Sequence, residues 1–252
     1  MPERKMIGTL FELGGRVTME CLTRTGLDYV IIDTEHNCFS TEQVAYYIQT
    51  AENGNLLPYV RIGDTRRPYV LQMLDIGARG LIVPDITSVR EVEELVSSAK
   101  FPPVGKRGYC PNRTSGWGED QWAQDIDSYM QECNRRCKLI PQCETAEALE
   151  VIEEIAAIPG VDGIFVGPCD LSIALGIPLQ FDSPILTAAI ERILRACRAN
   201  GKESIIFSLE ADGVGPWLEK GFDSATCGLD TSVLIRGYQS LVAACRGGTT
   251  GT

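Results

Sequence analysis

At 252 residues, with 44% apolar and 23% charged residues, the chain has the length and composition of one soluble globular domain built around a single core. Its formal net charge of −11 repels phosphate backbones and anionic lipid, which argues against nucleic acid and membrane surfaces as partners. No apolar run approaches a membrane span, and the N-terminal MPERKMIGTLF carries charge without the apolar stretch of a signal peptide, so a cytoplasmic protein is expected.

Short apolar runs alternate with stretches of helical spacing along the chain. Met6–Phe11 reads as the first strand, with a helix over Thr18–Thr25 after it. Tyr29–Asp33 leads to Thr41–Glu52, Pro58–Ile62 to Arg67–Ile76, and Gly80–Pro84 to Val89–Ala99. Leu139–Glu144 leads to Ala146–Ile158 and Gly163–Gly167 to Ile185–Asn200. Ser204–Phe207 and Ala211–Lys220, then Ser224–Gly228 and Ser232–Cys245, complete the set. VIID, GLIVP and GIFVG are continuous apolar runs, as strands of a parallel sheet covered on both faces require.

Helix signals agree with this reading. Ser40 precedes a helix with Gln43 placed for a capping box, and Ser88 precedes another with Glu91 three residues on. Eight strand–helix units predict a closed (β/α)8 barrel, a TIM barrel, over residues 1–246, with 247–252 as a tail. No GxGxxG follows the first strand, which removes the commonest dinucleotide signature of an open doubly wound sheet. Residues 101–129, rich in Gly, Pro, Trp and Arg, break the rhythm. They are expected to form a loop insertion near the active-site mouth, packed by Tyr109, Trp117 and Trp122.

The ten cysteines lie mostly inside periodic segments and read as reduced thiols rather than a disulfide framework. Cys133, Cys137 and Cys143 have loosely metal-like spacing, but no second pair or histidine completes such a site. Cys143 should face the helix layer, because strand residues alternate sides.

Reacting groups of such barrels stand at the C-terminal ends of strands. Those ends offer Asp33, Glu35 and His36 after the second strand, Arg61 after the third, Asp85 after the fourth, Glu144 after the fifth and Asp170 after the sixth. Ser208, Glu210, Cys227 and Asp230 follow the last two. His36 is the only histidine, so it is either a proton-transfer group or a hydrogen-bonded structural residue, and Asp33 could orient it. Arg61 can hold a carboxylate or an oxygen that gains negative charge, or pair with Glu35. Glu144 and Asp170 offer the hard oxygen ligands that magnesium or manganese takes. A Schiff-base mechanism is disfavoured because Lys138 and Lys202 lie at strand starts. The acidic Glu210, Asp212 and Asp230 disfavour a phosphorylated substrate.

The segments GLDYVIIDTEHN, PYVRI, LDIGARGLIVPDI, FPPVGKRG, QCET, IPGVDGIFVGPCDLSIALG and GLDTSVLIRG run in one order within a match that extends from Gly8 to about Gly237. In them the chain resembles the HpcH/HpaI class of metal-dependent pyruvate aldolases, typified by 4-hydroxy-2-oxoheptanedioate and 2-dehydro-3-deoxyglucarate aldolases. The resemblance implies reversible cleavage of 4-hydroxy-2-keto acids to pyruvate and an aldehyde through the pyruvate enolate. It implies His36 and Asp33 as a proton-handling pair, Arg61 on the keto oxygen, and Glu144 and Asp170 as ligands of a divalent metal ion (magnesium, manganese or cobalt), with no organic cofactor. Gln142 would lie beside the keto acid. The amides of Gly167, Cys169 and Asp170 would lie along its carboxylate, with Pro168 unable to donate. Relatives of this class form hexamers from trimers that exchange the last helix, which would let Asp85 serve a neighbouring subunit.

Cys169 replaces an alanine usual in the class, and Thr9, Leu10 and Phe11 stand where a tryptophan is common, which leaves the aldehyde partner open. Related enolate chemistry, such as oxaloacetate decarboxylation or a citrate-synthase-like condensation, is the alternative, and a non-catalytic binding barrel is the remaining one.

Overall fold

A computed structural model describes residues 4–247. Its eight parallel strands close into a barrel in sequence order: β1 (Met6–Phe11), β2 (Tyr29–Asp33), β3 (Leu57–Arg61), β4 (Gly80–Val83), β5 (Lys138–Cys143), β6 (Gly163–Val166), β7 (Glu203–Ser208) and β8 (Ser224–Leu229). The (β/α)8 expectation holds. Closure is made by β1 pairing with β8, and it leaves no open sheet edge.

The helices are α1 (Arg16–Leu22), α2 (Thr41–Asn53), α3 (Arg67–Asp75), α4 (Val89–Ala99), α5 (Ile126–Arg136), α6 (Ala146–Glu150), α7 (Ile152–Ala157), α8 (Pro168–Ala174), α9 (Pro184–Ala199), α10 (Gly215–Lys220) and α11 (Asp230–Cys245). The Ser40 capping box with Gln43 is formed, and the Ser88 hydroxyl accepts the Glu91 amide at 3.3 Å. Strand alternation sorts the core into two layers. Leu10, Tyr29, Ile31, Tyr59, Ile82, Ile140, Phe165 and Ile205 fill the barrel interior. Val30, Ile32, Val60, Leu81, Ile164 and Ile206 join the layer beneath the helices, and Cys143 lies there as expected.

Some expectations need correction. The helix expected over residues 146–158 is two, because Val151 leaves helical geometry at φ −112°, ψ 21°. Only residues 215–220 of the stretch expected to be helical from Ala211 form α10. Two helices were not foreseen: α8, straight after β6, and α5, whose Asp125 caps the Ser128 amide at 3.0 Å.

The insertion lies, within the chain, at the end of the barrel opposite the mouth. Lys100 Nζ reaches the Cys137 carbonyl at 2.6 Å, just before β5 begins, and Arg107 pairs with Asp75 at the end of α3. Phe101, Ala123, Tyr129 and Cys133 give the insertion a small core of its own, with Trp122 stacked on Tyr129 and Tyr109 edge-on to it. Trp117, by contrast, is exposed. Of the tail, residues 248–252 lie outside the described residues. All ten cysteines are free thiols, and no described helix is long and apolar enough to cross a membrane.

Candidate active site

The last register pair of the β2–β3 ladder is Asp33 with Arg61. Neighbouring partners of a ladder project to the same side, so the two side chains meet at the C-terminal rim. Arg61 Nε and Nη2 donate to the two Asp33 oxygens at 2.9 and 2.7 Å, a bidentate pair that is buried. The remaining contact of this carboxylate is the Glu35 amide, 3.0 Å from Oδ1. Asp33 is thus committed to Arg61 and does not orient His36, contrary to the expected pairing. His36 instead stands 3.7 Å from Glu35 Oε2, with 66% of its side chain exposed.

Glu35 joins both groups, because its Oε2 also lies 3.3 Å from Arg61 Nε, the contact foreseen for Arg61. Burial pushes the Glu35 carboxyl up, against the opposing pull of Arg61 and His36. Neither Arg61–Asp33 bond uses Nη1, which leaves the guanidinium a donor for an incoming oxygen.

Two strands along the rim from Arg61, Glu144 follows the last residue of β5 and is almost fully buried. Its Oε1 accepts the Asp85 amide at 2.8 Å, and its Oε2 accepts the Gln142 side-chain amide. Asp85 therefore contributes its backbone, held at a φ of 53°, while its side chain points out to solvent. Burial pushes the Glu144 carboxyl up to about 6. The charges of Asp170 and Glu35 add to this, and the two hydrogen bonds oppose it.

Gly167 makes this crowding possible, since a Cβ there would lie 2.8 Å from Glu144 Oε2 and 2.9 Å from Gln142 Nε2. The Gly167 amide is already engaged by the Cys143 carbonyl at 3.4 Å, whereas Cys169 and Asp170 lie in the first turn of α8, where amides lack intrahelical acceptors. Cys169 itself is half-buried and lines a cavity of about 570 Å3 with Pro168, Leu186, Phe207 and Trp217. Burial and the Asp170 charge push its thiol up.

Among the described residues no cluster of three or more His, Cys, Asp or Glu side chains could hold an ion. The oxygen donors on offer are the carboxylates of Glu144 and Asp170, close enough for their charges to interact, and Gln142 Oε1, a buried acceptor with no hydrogen-bond partner. That all-oxygen set fits a hard divalent cation that completes its coordination with water or substrate oxygens.

Two other rim groups are structural. Asp230 accepts the amides of Glu12, Leu13 and Thr231, which ties α11 to the end of β1, and Glu210 pairs with Arg236. Sequence reasoning missed Glu12, the residue after β1, whose carboxyl is raised first by burial and then by the Asp33 charge. Reading strand ends from the first strand as well as the others would have found it.

A family model described as HpcH/HpaI aldolase/citrate lyase matches residues 10–237. A 2-keto-3-deoxy-L-rhamnonate aldolase of Klebsiella pneumoniae is 32% identical over 89% of this chain and 82% of its own length. Among solved structures, an HpcH/HpaI aldolase from Desulfitobacterium hafniense superposes with a TM-score of 0.89 at 29% identity, covering 98% of this chain and 95% of that one. The citrate synthase SbnG superposes with a TM-score of 0.86 at 27% identity, covering 96% and 94%. With a closed barrel whose rim carries this arginine–carboxylate pair two strands from a buried glutamate, the chain belongs to the HpcH/HpaI aldolase/citrate lyase family.

Proposed function

We propose that the protein is a carbon–carbon lyase, a class II pyruvate aldolase, which reversibly cleaves 4-hydroxy-2-keto acids into pyruvate and an aldehyde. One observation carries the reading: a buried guanidinium with a spare donor ends β3 and shares its sector of the rim with a buried glutamate, two strands on and fixed by two hydrogen bonds. Glu144 and Asp170 would hold a magnesium or manganese ion, which supplies Lewis acidity at the keto acid's oxygens.

The chain's own groups do the rest. Arg61 Nη1 donates to the keto oxygen and favours the enolate over the ketone, because the enolate carries more charge there. Asp33 keeps the guanidinium in one rotamer, so little reorganisation accompanies the reaction. The first-turn amides of α8 at Cys169 and Asp170 receive the pyruvate carboxylate. Gln142 borders the same space and keeps Glu144 turned inward. His36, exposed at the rim beside Glu35, takes the proton of the substrate hydroxyl as the carbon–carbon bond breaks and returns it in the reverse direction.

Val233, Leu234, Ile235, Tyr238, Leu241 and Val242 leave α11 with exposed apolar side chains, which supports a homo-oligomer, trimer or hexamer, that covers them. A cytoplasmic location agrees with ten free thiols.

The test is product analysis with metal-loaded protein and a panel of 4-hydroxy-2-keto acids that begins with 2-keto-3-deoxy-L-rhamnonate, the acid named for the 32%-identical relative. Release of pyruvate with a matching aldehyde is the expected result. Turnover of oxaloacetate alone, with every hydroxy acid left intact, would replace the aldolase reading by the decarboxylase one. SbnG, a citrate synthase at 27% identity, is the observation that keeps condensation chemistry as the second reading.

A further inference from the structure

Where the insertion docks on the N-terminal end of the barrel, it encloses a cavity of about 230 Å3. The cavity lies between the end of α2, the residues just before β4 and the end of α5, at the face opposite the catalytic rim. Four arginines line it, Arg79, Arg107, Arg113 and Arg136, against a single carboxylate, Glu52. In a chain with a net charge of −11, such a concentration of cations needs a reason.

Internal ion pairing leaves cationic capacity over. Glu52 is shared by Arg79 at 3.1 Å and Arg113 at 2.6 Å, and Glu132 is shared by Arg135 and Arg136. Arg107 is the most deeply placed, with a side chain only 2% exposed. Its Nη2 donates to Asp75 at 2.8 Å and its guanidinium lies 4.8 Å from the Phe101 ring, but its buried Nε has no acceptor at all. A buried N–H without an acceptor loses its hydration with nothing in return, and a ligand oxygen would satisfy it.

The backbone also makes room for the cluster. Gly77 has a φ of 112°, a conformation that side-chain-bearing residues rarely adopt, and a Cβ there would stand 2.9 Å from Arg113 Nη1, so glycine leaves that guanidinium its place on the cavity wall. The Trp122 ring lies against Arg136 at 4.8 Å and closes one wall.

We propose that this cavity is a second binding site, for a small oxyanion carrying two or more negative charges, a phosphate or a di- or tricarboxylate. Planar guanidinium forks bind both groups in the same bidentate way, which is the chemistry the two share. The guanidiniums of Arg79, Arg107 and Arg136 that line the cavity supply the donors, and the cavity is large enough for more than an inorganic ion.

Calorimetric titration of the metal-free full-length chain tests this, with inorganic phosphate in one arm and citrate in the other, at an ionic strength held constant with sodium chloride. The double variant Arg79→Ala, Arg136→Ala is the decisive control. Both side chains are more than a third exposed, Glu52 keeps Arg113 and Glu132 keeps Arg135, so no buried carboxylate is orphaned. Saturable binding in at least one arm, weakened tenfold or more by the double variant and unchanged in Glu144→Gln, is expected. The stronger arm then names the ligand class. Heats no larger than the chloride control in both arms, or equal affinity in the double variant, would overturn the proposal and leave the arginines as a fastening for the insertion.

Discussion

Asp33 and Arg61 close the β2–β3 ladder as register partners, and their side chains form a buried bidentate pair with contacts of 2.9 and 2.7 Å. Removing one member of a buried pair leaves an uncompensated charge, at a cost of roughly 3–5 kcal/mol. Asp33→Ala should therefore lower unfolding stability by about that amount in urea titrations. Arg61→Lys keeps the charge but loses the fork. It should retain most of the stability while kcat/KM falls on the order of a hundredfold, the loss of one oxyanion donor. Wild-type turnover in Arg61→Lys would take the guanidinium out of the reaction.

His36 makes no hydrogen bond that the fold depends on, and most of its side chain is exposed. His36→Ala should leave the melting temperature within a degree or two while retro-aldol cleavage slows by roughly 10²-fold or more. A parallel fall in stability and rate would instead assign the imidazole a structural part.

Glu144 binds its proton more tightly in the folded protein than its ordinary 4.5, with a value of about 6. The metal-free protein is thereby favoured at low pH, and it loses about 2 kcal/mol as pH rises through this window to 7. A divalent cation needs the ionised carboxylate, so the gain in melting temperature on adding manganese should be small at pH 5 and level off above about pH 6. Thermal melts across this range should show Glu144→Gln flattening both effects. A metal effect independent of pH would show that the cation sits elsewhere.

Ile235 and Leu241 are each 57% exposed on α11. Replacing both with aspartate should reduce the particle mass measured by light scattering and leave the circular dichroism unchanged. An unaltered mass would place the subunit contact on another face.

Strand order, barrel closure and the identity of the rim residues were legible because each rests on local pattern: apolar runs, helical spacing and the residue that ends each run. The partner of Asp33 was not. His36 is three residues away in sequence, but the bond goes to Arg61, and only the β2–β3 register reveals that. The part played by Asp85 was hidden for a different reason, since it is the amide, at a φ of 53°, that holds Glu144. Helix α5 was readable and missed. Ile126, Tyr129, Met130 and Cys133 repeat at helical spacing, but the glycines and prolines before them drew its first turn, to Tyr129, into the loop.

Loss of a methyl proton from pyruvate alone, followed by proton NMR in deuterium oxide, reaches the enolate with no aldehyde needed. With magnesium present the methyl signal should decay, and it should stop decaying in excess EDTA and slow on the order of a hundredfold in Arg61→Lys. Decay that continues undiminished in EDTA, or a magnesium-loaded protein that leaves the methyl group untouched, would contradict an enolate formed between Arg61 and the Glu144 carboxylate.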